Sequence, residues 1–206
     1  VDERALGSSP EGSGPARLPE IWLVRHGETE WARLGRHTGR TDVPLTDFGR
    51  DQARSVRREL AGHPFALVLS SPRARALETC RIAAFGDRFE VDDDLAEWDY
   101  GALEGRTTPQ IRAQYPGWTI WTGAIPEGET VDEVGRRADR VIARALAAAG
   151  DLLVFGHGHQ LRILAARWLG LAPTDGRLFA LGTGTVSVLA WEHDQRVIER
   201  WNEASR

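Results

Sequence analysis

Short, unbroken apolar runs punctuate the chain at 21–24, 66–69 and 152–155, each closed by polar residues or glycine. Continuous hydrophobicity of this length marks strands that are covered on both faces. Two later runs, 185–191 and 196–201, are separated by little more than His193 and Asp194 and read as a hairpin. Between the runs the spacing becomes helical. The clearest stripe is Val131, Val134, Ala138, Val141, Ala145 and Ala149, which share one face of a helix over 131–149. Thr130 and Glu133 have the spacing of a capping box, and Gly150 stands where a C-terminal glycine belongs. Weaker helical patterns cover 47–61, 73–84, 108–114 and 159–169.

This alternation predicts an α/β fold: a single doubly wound, three-layer domain with a mostly parallel central sheet and an antiparallel edge strand. Ligands of such sheets sit beyond the carboxyl ends of the strands. Arg25 and His26 follow the first strand, Ser70 and Ser71 the second, and Gly156 and His157 the third. The pattern alone therefore brings polar clusters to one edge of the sheet.

Composition narrows the partner. With 206 residues and 41% apolar content the chain supports one core. Residues 20–206 are read as the domain, and the Gly, Ser and Pro-rich stretch 1–19 as a flexible tail. A lone cysteine, Cys80, excludes an internal disulfide and a multi-cysteine zinc site, which fits a reducing cytoplasm. No apolar run approaches the roughly 20 residues that span a bilayer, and the opening residues do not resemble a signal peptide. A net charge of -4 gives no general attraction to nucleic acid or to an anionic membrane. A small molecule is therefore the expected partner, and homo-oligomerisation is left open.

Arg25-His26-Gly27 at a strand end places a nucleophile beside a cation, where backbone amides can approach an anion. Gly156-His157-Gly158-His159 opens a helix whose N-terminal amides favour negative charge. Arg75 lies in the first turn of a helix, against the preference of the helix dipole, a hint of function, whereas Arg73 reads as a solvated face. A zinc site built from His26, His157 and His159 is disfavoured by their placement about a turn and by the neighbouring arginines.

The run Leu23-Val24-Arg25-His26-Gly27-Glu28-Thr29-Glu30-Trp31 resembles the signature of the histidine phosphatase superfamily. The resemblance continues through Thr38-Gly39, Pro44-Leu45-Thr46, Gly49, Ser71-Pro72 with Arg75-Ala76, Glu97 with Tyr100-Gly101, Glu104-Gly105 and His157-Gly158. It implies a phosphomonoester hydrolase working through phosphohistidine, without metal or cofactor. His26 matches the phosphorylated histidine; Arg25, Arg75 and His157 match the phosphate pocket; and Glu97 matches the proton donor. Thr29, Thr38 and Gly39 match positions near phosphate or substrate, while Tyr100 and Arg162 match substrate contacts. Ala32 departs from the family's usual asparagine, and Arg33 or His37 could replace its hydrogen bond.

The physical reading agrees with these roles: Arg25, Arg75 and a protonated His157 would keep His26 neutral and nucleophilic. The alternatives are a phosphoglycerate mutase and a non-catalytic phosphate-dependent binding module. Mutases carry a cation after the donor glutamate, where this chain has Trp98 and Asp99, with Asp99 set to repel a glycerate carboxylate. Trp98 and the loop bearing Trp118 and Trp121 suit the apolar face of a sugar. A binding module would be expected to lose His26, Glu97 or His157. Small sugar phosphates are the resulting substrate class.

Overall fold

A computed structural model describes residues 17–204, so most of the predicted tail lies outside the described residues. The end of that tail is docked: Arg17 pairs with Asp151 at 3.0 Å, and the Trp191 indole donates to the Pro19 carbonyl at 3.0 Å. Residues 17–19 thus lie against the domain.

The elements are β1 (Ile21–Arg25), α1 (Glu30–Arg33), α2 (Asp47–Leu60), β2 (Leu67–Ser70) and α3 (Ala74–Cys80). A π-helical turn over Arg81–Phe85 prolongs α3. Next come β3 (Glu90–Val91), α4 (Thr108–Gln114), α5 (Val131–Ala147), β4 (Leu152–Gly156), α6 (Gly158–Trp168), β5 (Thr185–Glu192) and β6 (Gln195–Ala204). They build one six-stranded sheet in the order β3-β2-β4-β1-β5-β6. Neighbours from β3 to β1 are parallel, while β5 and β6 are antiparallel. The antiparallel pairing is confined to one edge of a mostly parallel sheet, as the sequence predicts.

Strand alternation divides the core. Ile21, Leu23, Leu152 and Val154 face α5 and α6, whereas Val24, Leu153 and Phe155 face α2 and the π turn. Every residue of β4 is buried, which is why its sequence is uniformly apolar. The capping box of α5 forms as predicted, with the Thr130 hydroxyl and the Glu133 carboxylate each bonding the other's backbone amide. Such a cap contributes about 1 kcal/mol. Gly150 does not cap this helix; α5 closes at Ala148 in extended conformation. Gly150 instead packs closely, since a Cβ there would lie 3.1 Å from that of Ala66. At the hairpin, His193 takes the left-handed conformation with φ 57°.

Candidate active site

β1 and β4 run side by side in register, pairing Arg25 with Gly156, so His26 and His157 emerge together at the carboxyl edge. Their ring centroids are 5.1 Å apart, and both side chains are buried. The turn after His26 needs two glycines. A Cβ on Gly27 would overlap the Gly49 carbonyl, and one on Gly49 would overlap that of Glu28, so α2 can press its first turn against the loop. Thr79 holds this contact from below: its hydroxyl accepts from the Gly27 amide at 3.1 Å and donates to the Arg75 carbonyl at 2.7 Å.

His26 Nδ1 lies 2.7 Å from the Gly27 carbonyl. A carbonyl only accepts, so Nδ1 carries the proton and Nε2 keeps its lone pair. Burial first, then Arg75 and Arg25, push the His26 pKa well below that of a free imidazole. Burial and then Arg75 likewise push the His157 pKa well below that of a free imidazole. Without an anion beside it the site therefore disfavours the protonated His157 that the sequence reading invokes. Its Nε2 lies 2.7 Å from Ser71 Oγ, a hydroxyl that already accepts from the Arg73 amide at 3.3 Å. Either group can donate in that contact, since a hydroxyl oxygen accepts twice, and Nδ1 is the ring nitrogen left without a partner.

Arg75 is fully buried, its terminal nitrogens donating to the carbonyls of Thr41, Thr38 and Gly39 at 3.0, 2.9 and 3.2 Å. One terminal nitrogen of Arg25 donates to the Leu181 carbonyl. The guanidinium lies against Gly158, where a Cβ would stand 3.3 Å from its central carbon. The Nε atoms of Arg25 and Arg75 and the Nδ1 of His157 are buried without a hydrogen-bond partner. Unpaired buried donors cost about 1–3 kcal/mol each, more when charged, unless an acceptor meets them. Arg73 is not a simple solvated residue either, for its Nε is buried and unpaired as well.

Glu97 is held against the start of α6. Its Oε1 accepts from the amides of Trp98 and Gln160, both at 2.9 Å, and its Oε2 from that of His159 at 3.1 Å. The N-terminal amides of α6 are therefore engaged by a protein carboxylate, contrary to the expectation that they face a bound anion. Oε2 carries one bond fewer than Oε1 and is the oxygen free to take or give a proton.

Above His26 opens a cleft of about 430 Å³, within the usual range of small-molecule sites. Thr38, Tyr100, Arg162, His37 and His159 line it. The Tyr100 hydroxyl meets His159 Nδ1 at 2.7 Å, and Arg162 stacks on Trp121 at 4.7 Å. Thr29 and Gly39 do not line it. The Thr29 hydroxyl caps α1 by accepting from Ala32, and Gly39 offers its carbonyl to Arg75 and its amide to Glu104. Arg33 cannot make up for Ala32, being exposed and paired with Glu30 at 2.7 Å, whereas His37 does face the cleft.

Three expectations about the tryptophan region change. Trp98 is 1% exposed, with its indole bonded to the Glu129 carbonyl, so it cannot pack against a sugar. Trp118 is buried too, leaving Trp121 as the aromatic of that loop that lines the cleft. Asp99 pairs with Arg40 at 2.5 Å and stands outside the cleft lining, so it is not placed to repel a ligand carboxylate. Sequence reasoning missed Thr79, Leu181, Arg36 and Arg112; the last three also line the cleft, and no local pattern marks them.

The imagined zinc triad does not converge. Among the described residues, the His, Cys, Asp and Glu group spaced to hold a cation is Glu20, His63 and Asp151, next to β1 and β4 at their amino ends. Arg17 already pairs with both of its carboxylates.

A neutral buried histidine among buried guanidinium donors at the carboxyl edge of a doubly wound sheet defines an α/β phosphate-site protein. The chain belongs to the histidine phosphatase superfamily (branch 1), whose family profile matches residues 21–204. It is 45% identical over 189 residues to an acid phosphatase of Mycobacterium tuberculosis, covering 87% of this chain and 90% of that one. It is 37% identical over 190 residues to a sedoheptulose 1,7-bisphosphatase of Saccharomyces cerevisiae, covering 76% and 70%. A functionally characterised open reading frame from M. tuberculosis superimposes with a TM-score of 0.84 at 39% identity, covering 91% of this chain and 99% of that structure. The protein is a histidine phosphatase.

Proposed function

We propose that this enzyme hydrolyses small sugar or related phosphomonoesters through a phosphohistidine on His26, without a metal ion. The observation that carries the reading is the neutral His26, its Nε2 lone pair free, among the unpaired Nε–H donors of Arg25 and Arg75 and the unpaired Nδ1 of His157. In the first step Nε2 attacks phosphorus, the ester P–O bond breaks, and Glu97 gives its proton to the leaving alkoxide. In the second, water attacks phosphorus, its proton passes to Glu97, and the P–N bond breaks to return His26 and inorganic phosphate.

The guanidiniums stabilise the equatorial oxygens as charge spreads in each transition state, the part that a metal plays elsewhere. A phosphate dianion would also raise the His157 pKa towards the charged form, adding a cation only when substrate is present. Tyr100 and Arg162 contact the remainder of the substrate, and Thr38 stands beside it. Thr29 and Gly39 act at one remove, by shaping the loop and holding Arg75.

The names of the acid phosphatase and bisphosphatase relatives support hydrolysis over mutase activity or a catalytically silent module. Cytoplasmic location, and the division into a 1–19 tail and a 20–206 domain amended at 17–19 as above, belong to the same proposal. No described helix is long and apolar enough to cross a membrane. The test is turnover of p-nitrophenyl phosphate in chelator, followed by a rapid alkaline detergent quench of the enzyme with a ³²P-labelled sugar phosphate. Acid-labile, base-stable label on the native enzyme is the expected result, and its absence from an active enzyme would overturn the covalent route.

A further inference from the structure

Arg75 is a fully buried cation whose terminal nitrogens donate to main-chain carbonyls, those of Thr41, Thr38 and Gly39, and not to a carboxylate. All three acceptors belong to one short loop, 38–41. A guanidinium held in this way is only as well placed as the loop that holds it, so whatever fixes the loop also fixes the cation. That fixture is Glu104, 65 residues along the chain from Gly39.

The Glu104 carboxylate accepts from the Gly39 amide with both oxygens, at 2.9 and 3.0 Å, and from the Thr41 amide at 3.1 Å. The Gly39 N–H and the Thr38 C=O are the two ends of a single peptide unit. Glu104 bonds one end, and Arg75 bonds the other at 2.9 Å. One planar trans peptide thus stands between an acid and a guanidinium, and hydrogen bonds in such a chain polarise one another. The carbonyl becomes the stronger acceptor. A carboxylate bonded directly to Arg75 would compete with phosphoryl oxygens for its charge, whereas one acting through the peptide leaves the buried, unpaired Nε for the anion.

The relay is held in place from both sides. The His37 amide donates to the Arg106 carbonyl at 3.0 Å, and its carbonyl accepts from the Gly105 amide at 2.8 Å, so the two segments stay paired beside Glu104. Gly39 leaves the room for the contact: a Cβ there would stand 2.6 Å from the Trp98 carbonyl and 2.9 Å from Glu104 Oε2. Asp42, next in the chain, serves α3 instead, accepting from the Ala74 amide at 2.9 Å.

We propose that Glu104 is a positioning residue for catalysis, setting Arg75 for the transferred phosphoryl group through the Thr38–Gly39 peptide. This deepens, and rests on, the reading of His26 as the centre of a phosphatase.

The test is a double-mutant cycle between Glu104 and Arg75, with p-nitrophenyl phosphate and an alkyl phosphate as substrates and vanadate as inhibitor. E104Q keeps the shape and one acceptor oxygen but removes the charge. Alone, it should lower kcat/KM by about 10- to 100-fold, the scale of a charge-assisted hydrogen bond, and weaken vanadate in parallel. Because Arg75 meets only the phosphoryl group, the loss should be equal for the two substrates, unlike that of Glu97→Gln. In R75A the same substitution should cost less than about 3-fold, since the group it positions is gone.

Thermal melting tells a folded variant from a lost one. If E104Q does not fold, E104D, which keeps the charge and shortens its reach, goes through the same cycle against the same criteria. Full activity of the folded variant overturns the proposal, as does an equal loss with and without Arg75, which would leave Glu104 a structural tie of the loop. A loss confined to the alkyl phosphate would place Glu104 with the leaving group and overturn it too. A native enzyme inactive on every phosphomonoester would instead remove the phosphatase reading, and the role of Glu104 in turnover with it.

Discussion

The bond from His26 Nδ1 to the Gly27 carbonyl, 2.7 Å long, decides which imidazole nitrogen meets phosphorus. It does so only because Gly27 and Gly49 allow two backbones to touch. Replacing His26 by Ala removes the nucleophile while leaving the arginine cradle in place. Activity should fall by at least about 10³-fold, since covalent catalysis is lost and the remaining charge stabilisation has no attacking group to assist. Steady-state turnover and the alkaline-quench label should disappear together; a His26→Ala protein that turned over normally would remove the assignment.

Glu97 offers a finer test, because its oxygens are unequally used. Glu97→Gln keeps the volume but cannot supply a proton, and its amide nitrogen cannot accept from the α6 amides. With alkyl phosphates a loss of roughly 10²–10⁴ is expected, the usual scale of general acid catalysis. With p-nitrophenyl phosphate, whose leaving group needs little protonation, the loss should be clearly smaller. Equal losses on both substrates, accompanied by a lower melting temperature, would make Glu97 a cap of α6 and not a donor.

How much of this was legible follows from where each signal resides. Strands β1, β2 and β4 were readable because burial on both faces forces an apolar run. β3 was not: Glu90 and Val91 are both exposed and join the sheet through backbone bonds to β2 alone. α1 escaped notice because four residues, none of them buried, carry no stripe. Arg25, His26 and His157 could be found from the strand ends they follow, and Arg75 from its awkward place in a helix. Glu97 could not be separated from its acidic neighbours without the family resemblance, since two of its three partners are backbone amides 62 and 63 residues away. Arg36 and Arg112 face one cleft only after β1, α1 and α4 have packed, so no spacing along the chain announces them.

Metal independence has a structural expectation behind it. No aspartate or glutamate lines the cleft, Glu97 beside it is already held by three backbone amides, and the arginines raise the local positive potential. Activity in excess EDTA should match that in buffer, and added Mg²⁺ or Zn²⁺ should not raise it. Vanadate should inhibit competitively, its oxygens meeting the donors of Arg25, Arg75 and His157. Strict dependence on an added metal would contradict both the electrostatics and the mechanism.

Acid should act on fold and chemistry at different points. Burial lowers the His37 pKa to about 4, against an ordinary value of 6.5, where its ring packs on Tyr100 at 4.9 Å. The folded protein thus binds fewer protons there than the unfolded chain. Its contribution to stability is fully present above pH 6.5 and is lost as pH falls towards 4, amounting to about 3 kcal/mol over that window. His26, His157 and His159, also lowered chiefly by burial, add in the same direction. Urea unfolding at pH 7 and at pH 4.5 should therefore show a steep loss of stability, partly relieved in His37→Asn. Yet His26 stays neutral well below pH 6.5, so kcat/KM should show no acidic limb near 6.5 while the protein remains folded. An activity profile that fell with an apparent pKa of 6.5, before any unfolding, would mean that the nucleophile titrates like a free imidazole, and the arginine-activated site described here would be wrong.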